Sequence, residues 1–150
     1  KKVIIDNDDY DKIKNYTWCL SFRKKQSVYY VQARVKGVII YLHRLLIDCP
    51  PDKVIDHINM DTLDNRKKNL RICSIAENNR NSKKQKNNTS GFIGVCKYFN
   101  IWRAHIQYNK KLFHIGYYNT PEEAAFHYNH YADILFGKFA LLNKVEGCYE

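Results

Sequence analysis

Val54-Ile55-Asp56-His57 and Leu70-Arg71-Ile72-Cys73-Ser74-Ile75-Ala76-Glu77-Asn78 frame the middle of the chain. Each opens with four residues of strand-like composition, and the segment between them is polar, so 54–57 and 70–73 are expected to pair as a hairpin. Ser74 with Glu77 three residues later is a capping box, which predicts that a helix opens directly after the second strand. The result is strand, loop, strand, helix, with Asp56 and His57 side by side on the first strand. Adjacent strand residues face opposite sides, so these two need a strand end or a local twist to converge on one point.

Working outward, residues 3 to about 46 read as a β-rich lead-in with short strands at 18–22, 29–34 and 38–42, rich in aromatic and β-branched residues. Cys49-Pro50-Pro51-Asp52 then breaks the pattern, because proline fixes φ and restricts the residue before it. On the other side, 78–88 is dense in Asn and Lys and almost free of large apolar side chains, which makes it a linker. After Ser90-Gly91, strands are expected at 92–97, 101–108 and 112–118. Thr120-Pro121-Glu122-Glu123 then starts a helix, with Thr120 as cap, Pro121 at the first position, Glu123 closing the box and Gly137 as a left-handed stop. The fold class is α+β. A β-rich region spans 1–52, a ββα unit 53–82, a basic linker 83–89, and a three-stranded antiparallel sheet packed on one helix 90–144.

Composition narrows the function. Apolar residues at 45% and aromatics at 14% supply enough surface for folded cores and exclude a disordered chain. A formal net charge of +10 favours a polyanionic partner, nucleic acid ahead of an anionic membrane. No apolar run of 18 residues and no charged start followed by an apolar run occurs, so a soluble, intracellular protein that is not secreted is expected. Five cysteines (Cys19, Cys49, Cys73, Cys96, Cys148) form no C-x-x-C pair, which signals neither a zinc cage nor a disulfide framework. Between 66 and 86, Arg66, Lys67, Lys68, Arg71, Arg80, Lys83, Lys84 and Lys86 stand against Glu77 alone, so much of the excess charge is centred on the linker.

The central segments His43-Arg44-Leu45, Asp56-His57-Ile58, Asp64-Asn65-Arg66, Asn69-Leu70-Arg71 and Glu77-Asn78 resemble the HNH endonuclease family, in its homing branch of phages and viruses. The resemblance runs over about 38–82, with the motif beginning at His43. It implies His57 as general base, Asp56 and Asn78 as metal ligands, and Asn69 as the structural residue that ties the loop and orients the base. The residue types agree, since neutral imidazole takes a proton near pH 7. Oxygen donors suit Mg²⁺ or Mn²⁺ rather than zinc. The final motif position is Asn78, a neutral ligand, which implies low metal affinity without DNA. His43 is grouped with the catalytic residues, and Arg71 is expected to clamp a phosphate with its planar fork.

Ser90-Gly91-Phe92-Ile93-Gly94-Val95, Trp102-Arg103-Ala104-His105-Ile106, Gly116-Tyr117-Tyr118, Thr120-Pro121-Glu122-Glu123-Ala124-Ala125 and the segment 137–143 resemble the plant ethylene-response-factor type of DNA-binding domain. Period-two alternation puts Trp102, Ala104 and Ile106 on the helix side with Phe113, Ile115 and Tyr117. Arg103, His105, Gln107 and His114, with Lys97, are then expected on an open face that reads the major groove of double-stranded DNA. Arg80, Lys83, Lys84 and Lys86 are expected on phosphates. Together these features describe a metal-dependent endonuclease that nicks one strand per active site and takes no small-molecule substrate, with the oligomeric state left open. The rival is a non-catalytic, sequence-preferring DNA-binding or regulatory protein with a decayed nuclease unit. Neutralising Lys83, Lys84 and Lys86 is expected to weaken binding to every duplex and to flatten the plot of log affinity against log salt by about 0.9 per lost phosphate contact. An unchanged slope in a salt titration would separate the linker from the DNA backbone.

Overall fold

Residues 1–81 and 88–145, which the computed structural model describes, fall into two units, Lys1–Asn79 and Arg80–Glu150. The N-terminal unit begins with a 3₁₀ turn at Asn7–Asp9 and the short helix α1 (Tyr10–Ile13). A meander follows, β1 (Trp18–Arg23), β2 (Val28–Val35) and β3 (Val38–Tyr41), antiparallel in that order. The third strand was expected to run through residue 42, with the lead-in strand-like to about 46; instead Leu42–Leu46 is the helix α2. The cause is burial at helical spacing, because Leu42 and Leu46, four apart, both enter the core beside Val31. Val3, Ile5, Ile13, Trp18, Ile47 and Leu63 pack around them.

β4 (Val54–His57) and β5 (Leu70–Cys73) pair antiparallel with Val54 opposite Cys73 and His57 opposite Leu70. α3 (Ile75–Arg80) follows. Its capping box closes in both directions. The Ser74 N–H and hydroxyl donate to Glu77 Oε2 at 2.7 Å each, and the Glu77 N–H donates to Ser74 Oγ at 3.2 Å. The start of the chain fastens onto the loop between β4 and β5, where the Ile4 N–H donates to Leu63 O at 2.9 Å and the Asn65 N–H to Ile4 O at 2.7 Å.

The C-terminal unit is an antiparallel sheet, β6 (Val95–Tyr98), β7 (Ile101–Tyr108) and β8 (Lys111–Tyr118), packed on α4 (Pro121–Phe136). The first strand, expected from Phe92, starts only at Val95. Asn88 Nδ2 donates to Phe92 O at 2.7 Å and Ser90 Oγ to Val95 O at 2.8 Å, which bends the chain before it can extend. Thr120 Oγ1 accepts from the Glu123 N–H at 3.2 Å as the box predicts, while Glu123 Oε2 reaches one residue further back than the cap and accepts from the Asn119 N–H at 3.2 Å. Gly137 ends the helix at φ 50° and ψ −132°, a positive-φ conformation open to glycine but outside the left-handed helical region. Ala124, Ala125 and Ala132 are fully buried, so α4 lies close on the sheet.

The helix-side face differs from simple alternation. Ala104 pairs with Gly116, but His105 pairs with His114, so β8 carries an irregularity at Ile115 that shifts its parity. Tyr118 therefore takes the core place expected for Tyr117, which lies opposite Arg103 and is 48% exposed. Phe113 stands opposite Ile106 yet is 47% exposed, and Ile115 packs in the core as expected.

Gly94 is the tightest point of this unit. Its φ is +71°, and a Cβ there would lie 2.1 Å from the Tyr128 ring and 2.7 Å from His105 O. Gly94→Ala combines overpacking with a disfavoured backbone and is expected to cost more than about 2 kcal/mol, read as a lowered urea midpoint. A midpoint within 0.5 kcal/mol of wild type, roughly the range of neutral surface changes, would contradict the packing.

Candidate functional site

The β4–β5 register sets Asp56 directly across from Arg71. Asp56 is buried, and Arg71 Nε and Nη2 both donate to its Oδ2, at 2.8 Å and 2.6 Å. Arg71, expected to clamp a phosphate, is thus directed at the carboxylate beside the candidate base, because a buried carboxylate needs a charge partner more than an exposed phosphate needs one more cation.

His57, the next residue, is also buried. Its Nε2 lies 3.4 Å from Asn65 Oδ1, and Asn65 Nδ2 points to Thr62 O at 3.4 Å. With the amide nitrogen on a carbonyl, the amide oxygen faces the ring and accepts from Nε2 in the tautomer that protonates that nitrogen. Burial lowers the His57 pKa, against the Asn65 hydrogen bond and the charges of Asp56, Asp61 and Asp64. The imidazole is neutral at pH 7.

Asn69 ties the loop. Its Oδ1 accepts the Asn59 N–H at 3.0 Å and its Nδ2 donates to Asp64 O at 2.7 Å. The side chain that meets the His57 ring is therefore Asn65, 1% exposed, while Asn69 acts one step back by closing the loop. Asp64 accepts from Arg66 at 2.8 and 2.7 Å, and this pairing holds its carboxyl down to about 2 against the upward push of burial.

His43, on α2, sits edge-on to His57 with ring centroids 5.4 Å apart. Burial first, then the charges of His57 and Arg44, push its pKa down to about 4. Tyr30 from β2 closes the group, 5.7 Å from His43 and 6.4 Å from His57. Neither Tyr30 nor Asn65 is assigned a role by sequence reasoning. Asn65 lies inside the matched motif, which is a usable signal, whereas Tyr30 is one aromatic among many in a strand and carries none.

Asn78 lies in α3, half-buried, with its N–H on Ser74 O at 3.0 Å. Among the described residues no group of three or more His, Cys, Asp or Glu side chains is arranged to hold a metal ion. No helix among them is long and apolar enough to cross a membrane.

In the C-terminal unit, Arg103, His105, Gln107 and His114 share the face away from α4. Tyr98 and Tyr117 join them with rings 5.1 Å apart, and the Arg103 guanidinium lies 5.9 Å from the Tyr98 centroid. Burial, then Arg103 and His114, lowers the His105 pKa. Lys97, expected on this face, pairs with Trp102 and holds its ammonium 5.8 Å over that ring on the opposite side, because alternation separates it from Cys96 and Tyr98. Arg80 lays its guanidinium over Phe136 and Tyr108, at 4.8 and 5.9 Å. Lys83, Lys84 and Lys86 lie outside the described residues.

Residues 48–80, which carry β4, β5 and α3, match the HNH endonuclease family. Over 108 residues, 71% of this chain, the sequence is 32% identical to a protein of Acanthamoeba polyphaga mimivirus described as an uncharacterized HNH endonuclease. The match spans 56% of that relative, so the chain covers about half its length. No solved structure matches.

The buried histidines set a pH dependence of stability. Below pH 6.5 the unfolded chain protonates His43 while the folded chain resists down to about 4, so stability is full above 6.5 and falls as pH drops through that window, His57 acting in the same direction. His43→Phe should flatten this fall by on the order of 3 kcal/mol, measured as urea midpoints from pH 7 to 4. An undiminished fall would place the proton uptake elsewhere.

Proposed function

We propose that the chain is a divalent-metal-dependent endonuclease that hydrolyses phosphodiester bonds in double-stranded DNA, with His57 as the general base. The observation that carries this reading is the buried, neutral His57, held by Asn65 beside the Asp56–Arg71 pair, within the stretch that matches the HNH family. A base must present a lone pair at neutral pH, and burial keeps the ring neutral, with that lone pair on Nδ1 in the tautomer that donates from Nε2.

In the reaction, Nδ1 of His57 takes a proton from a water molecule as its oxygen bonds to phosphorus, and the bond from phosphorus to the 3′-oxygen breaks. Asn69 and Asn65 keep the loop and ring in place, so little reorganisation is needed when substrate arrives. Asp56 and Asn78 offer oxygen donors, the chemistry a hard cation prefers, and on that count fit Mg²⁺ or Mn²⁺. When bound, such a cation supplies charge stabilisation at the phosphate and at the departing oxygen. Arg71 fixes the Asp56 carboxylate, which limits the conformations a ligand must sample.

The open face of the C-terminal sheet would hold the duplex, in the manner of the ethylene-response-factor type of domain, through Arg103, His105, Gln107 and His114. The basic linker adds phosphate contacts. One histidine site per chain favours a nick over a double-strand break. Such a substrate fits a virus-encoded protein at work inside a host cell.

Cleavage of plasmid DNA with and without Mg²⁺ tests the reading. His57→Ala, Asp56→Ala and Asn78→Ala are each expected to lower cutting by more than about 10²-fold, the scale of losing an acid–base group, while duplex affinity stays near that of wild type. Wild-type protein that binds duplex but never cuts with Mg²⁺ or Mn²⁺ would instead make it a DNA-binding protein with a decayed nuclease unit.

A further inference from the structure

The wall of the site opposite β5 is built by residues outside the family-matched stretch. Tyr30 and Tyr41 sit on neighbouring strands with ring centroids 6.1 Å apart. Tyr41 stacks on His43 at 5.7 Å and 25°, and His43 meets His57 edge-on at 5.4 Å. Tyr30 touches all three, so the four rings form a closed cluster with His57 as a member. At the outer end of this cluster stands Arg23, the last residue of β1, whose Nη2 donates to the Tyr41 hydroxyl and whose guanidinium lies 5.7 Å from the Tyr41 centroid.

Charge sets Arg23 apart from most cations of this neighbourhood, with exposed Arg44 beside His43 as another arginine that holds no ion pair among the described residues. Arg71 faces Asp56, Arg66 faces Asp64, and Lys12 and Lys67 face Asp9. Arg23 is exposed, the group it bonds is a phenol hydroxyl, and among the described residues it faces no carboxylate. The Tyr30 phenol feels both ends of the site. Burial raises its pKa most, the charge of Arg23 opposes the rise and that of Asp56 adds to it. Arg23 and Asp56 thus lie within electrostatic range of one hydroxyl. A planar guanidinium is the donor best matched to two phosphate oxygens, and its stem is already braced by an aromatic face.

We propose that Arg23, braced by Tyr41, is a further member of the active site that grips a non-bridging oxygen of the phosphate served by His57, with Tyr30 as the ring that spaces the two. This assignment rests on the nuclease reading. It also gives the β1–β3 meander a chemical task, because the sheet delivers to the base a cation that the ββα unit directs to its own carboxylates.

The test is single-turnover cleavage of a labelled duplex with Mg²⁺ at saturating protein, beside affinity measured over a range of salt in a His57→Ala background. Arg23→Gln is expected to slow the saturated rate by about 10²-fold, the scale of losing one donor to a developing oxyanion. The salt slope should fall by about 0.9, the loss of one phosphate contact. Arg23→Lys should recover part of the rate, and Tyr41→Phe, which keeps the ring but frees the guanidinium, should fall between. These two milder variants carry the test if Arg23→Gln does not fold. A variant that binds less tightly yet cuts at the wild-type rate once saturated would reduce Arg23 to a diffuse surface charge and overturn the assignment. Wild-type protein that cuts no duplex would overturn the nuclease reading, and this assignment with it, by a result that no cleaving variant can mimic.

Discussion

A carboxylate withdrawn from water and held by a guanidinium on the facing strand is the constraint around which the N-terminal unit is arranged. Burying Asp56 without a partner would cost several kcal/mol, and the Asp56–Arg71 register puts the compensating charge directly across the ladder. A slip of one residue would set Asp56 against Leu70 or Ile72 and turn Arg71 to the other side. In most half-buried hairpins the apolar alternation fixes the register. Here Ile55, Asp56 and His57 are all buried, so alternation is absent from β4 and the ion pair takes over that task.

That hairpin is too small to close its own core, since two four-residue strands and a six-residue helix leave both faces short of apolar cover. The lead-in supplies what is missing. Leu63, from the hairpin loop, packs with Val31, Leu42 and Leu46. Lys67 reaches Asp9 with its ammonium at 3.0 Å, and its N–H donates to Asp6 at 2.7 Å. Asp9 is fully buried, and although burial alone raises its pKa, hydrogen bonds from Lys12 and Lys67 bring it below the usual carboxylate value. The loop that carries Asn65 and Asn69 is therefore fastened from outside as well as across its own width, and order in that loop becomes order in the His57 ring.

The parts of this arrangement legible in the sequence are those settled within a few residues. The capping boxes at Ser74 and Thr120 and the pairing of 54–57 with 70–73 needed no distant partner to be recognised, and they place Asp56, His57 and Asn78 on strand and helix as read. What escaped depends on tertiary contact. Residues 42–46 are rich in helix-forming Leu and Arg, but five residues directly after a strand are too few to show a helical period, and it is the core around Val31 that takes up Leu42 and Leu46 at helical spacing. The irregularity at Ile115 inverted the expected places of Tyr117 and Tyr118, because a period-two argument carries no warning of one extra residue. Tyr30 enters the site from a strand 27 positions before His57, a separation that no local spacing rule spans.

Burial alone would drive every ionisable group in this site toward its neutral form, carboxylic acids included. The histidines follow that tendency, since His57 meets a neutral amide and His43 meets rings and other bases. The carboxylates are treated differently: Asp56 and Asp64 each hold an arginine within 2.8 Å, and Asp64 is kept ionised far below neutrality. The same site thus keeps an uncharged base beside an ionised Asp64 at the same pH, and the difference lies in partners rather than in depth. The pairing also balances carboxylate charge inside the unit. The excess of positive charge over the rest of the chain is therefore left undiminished by these acids, the field that a polyanion would meet.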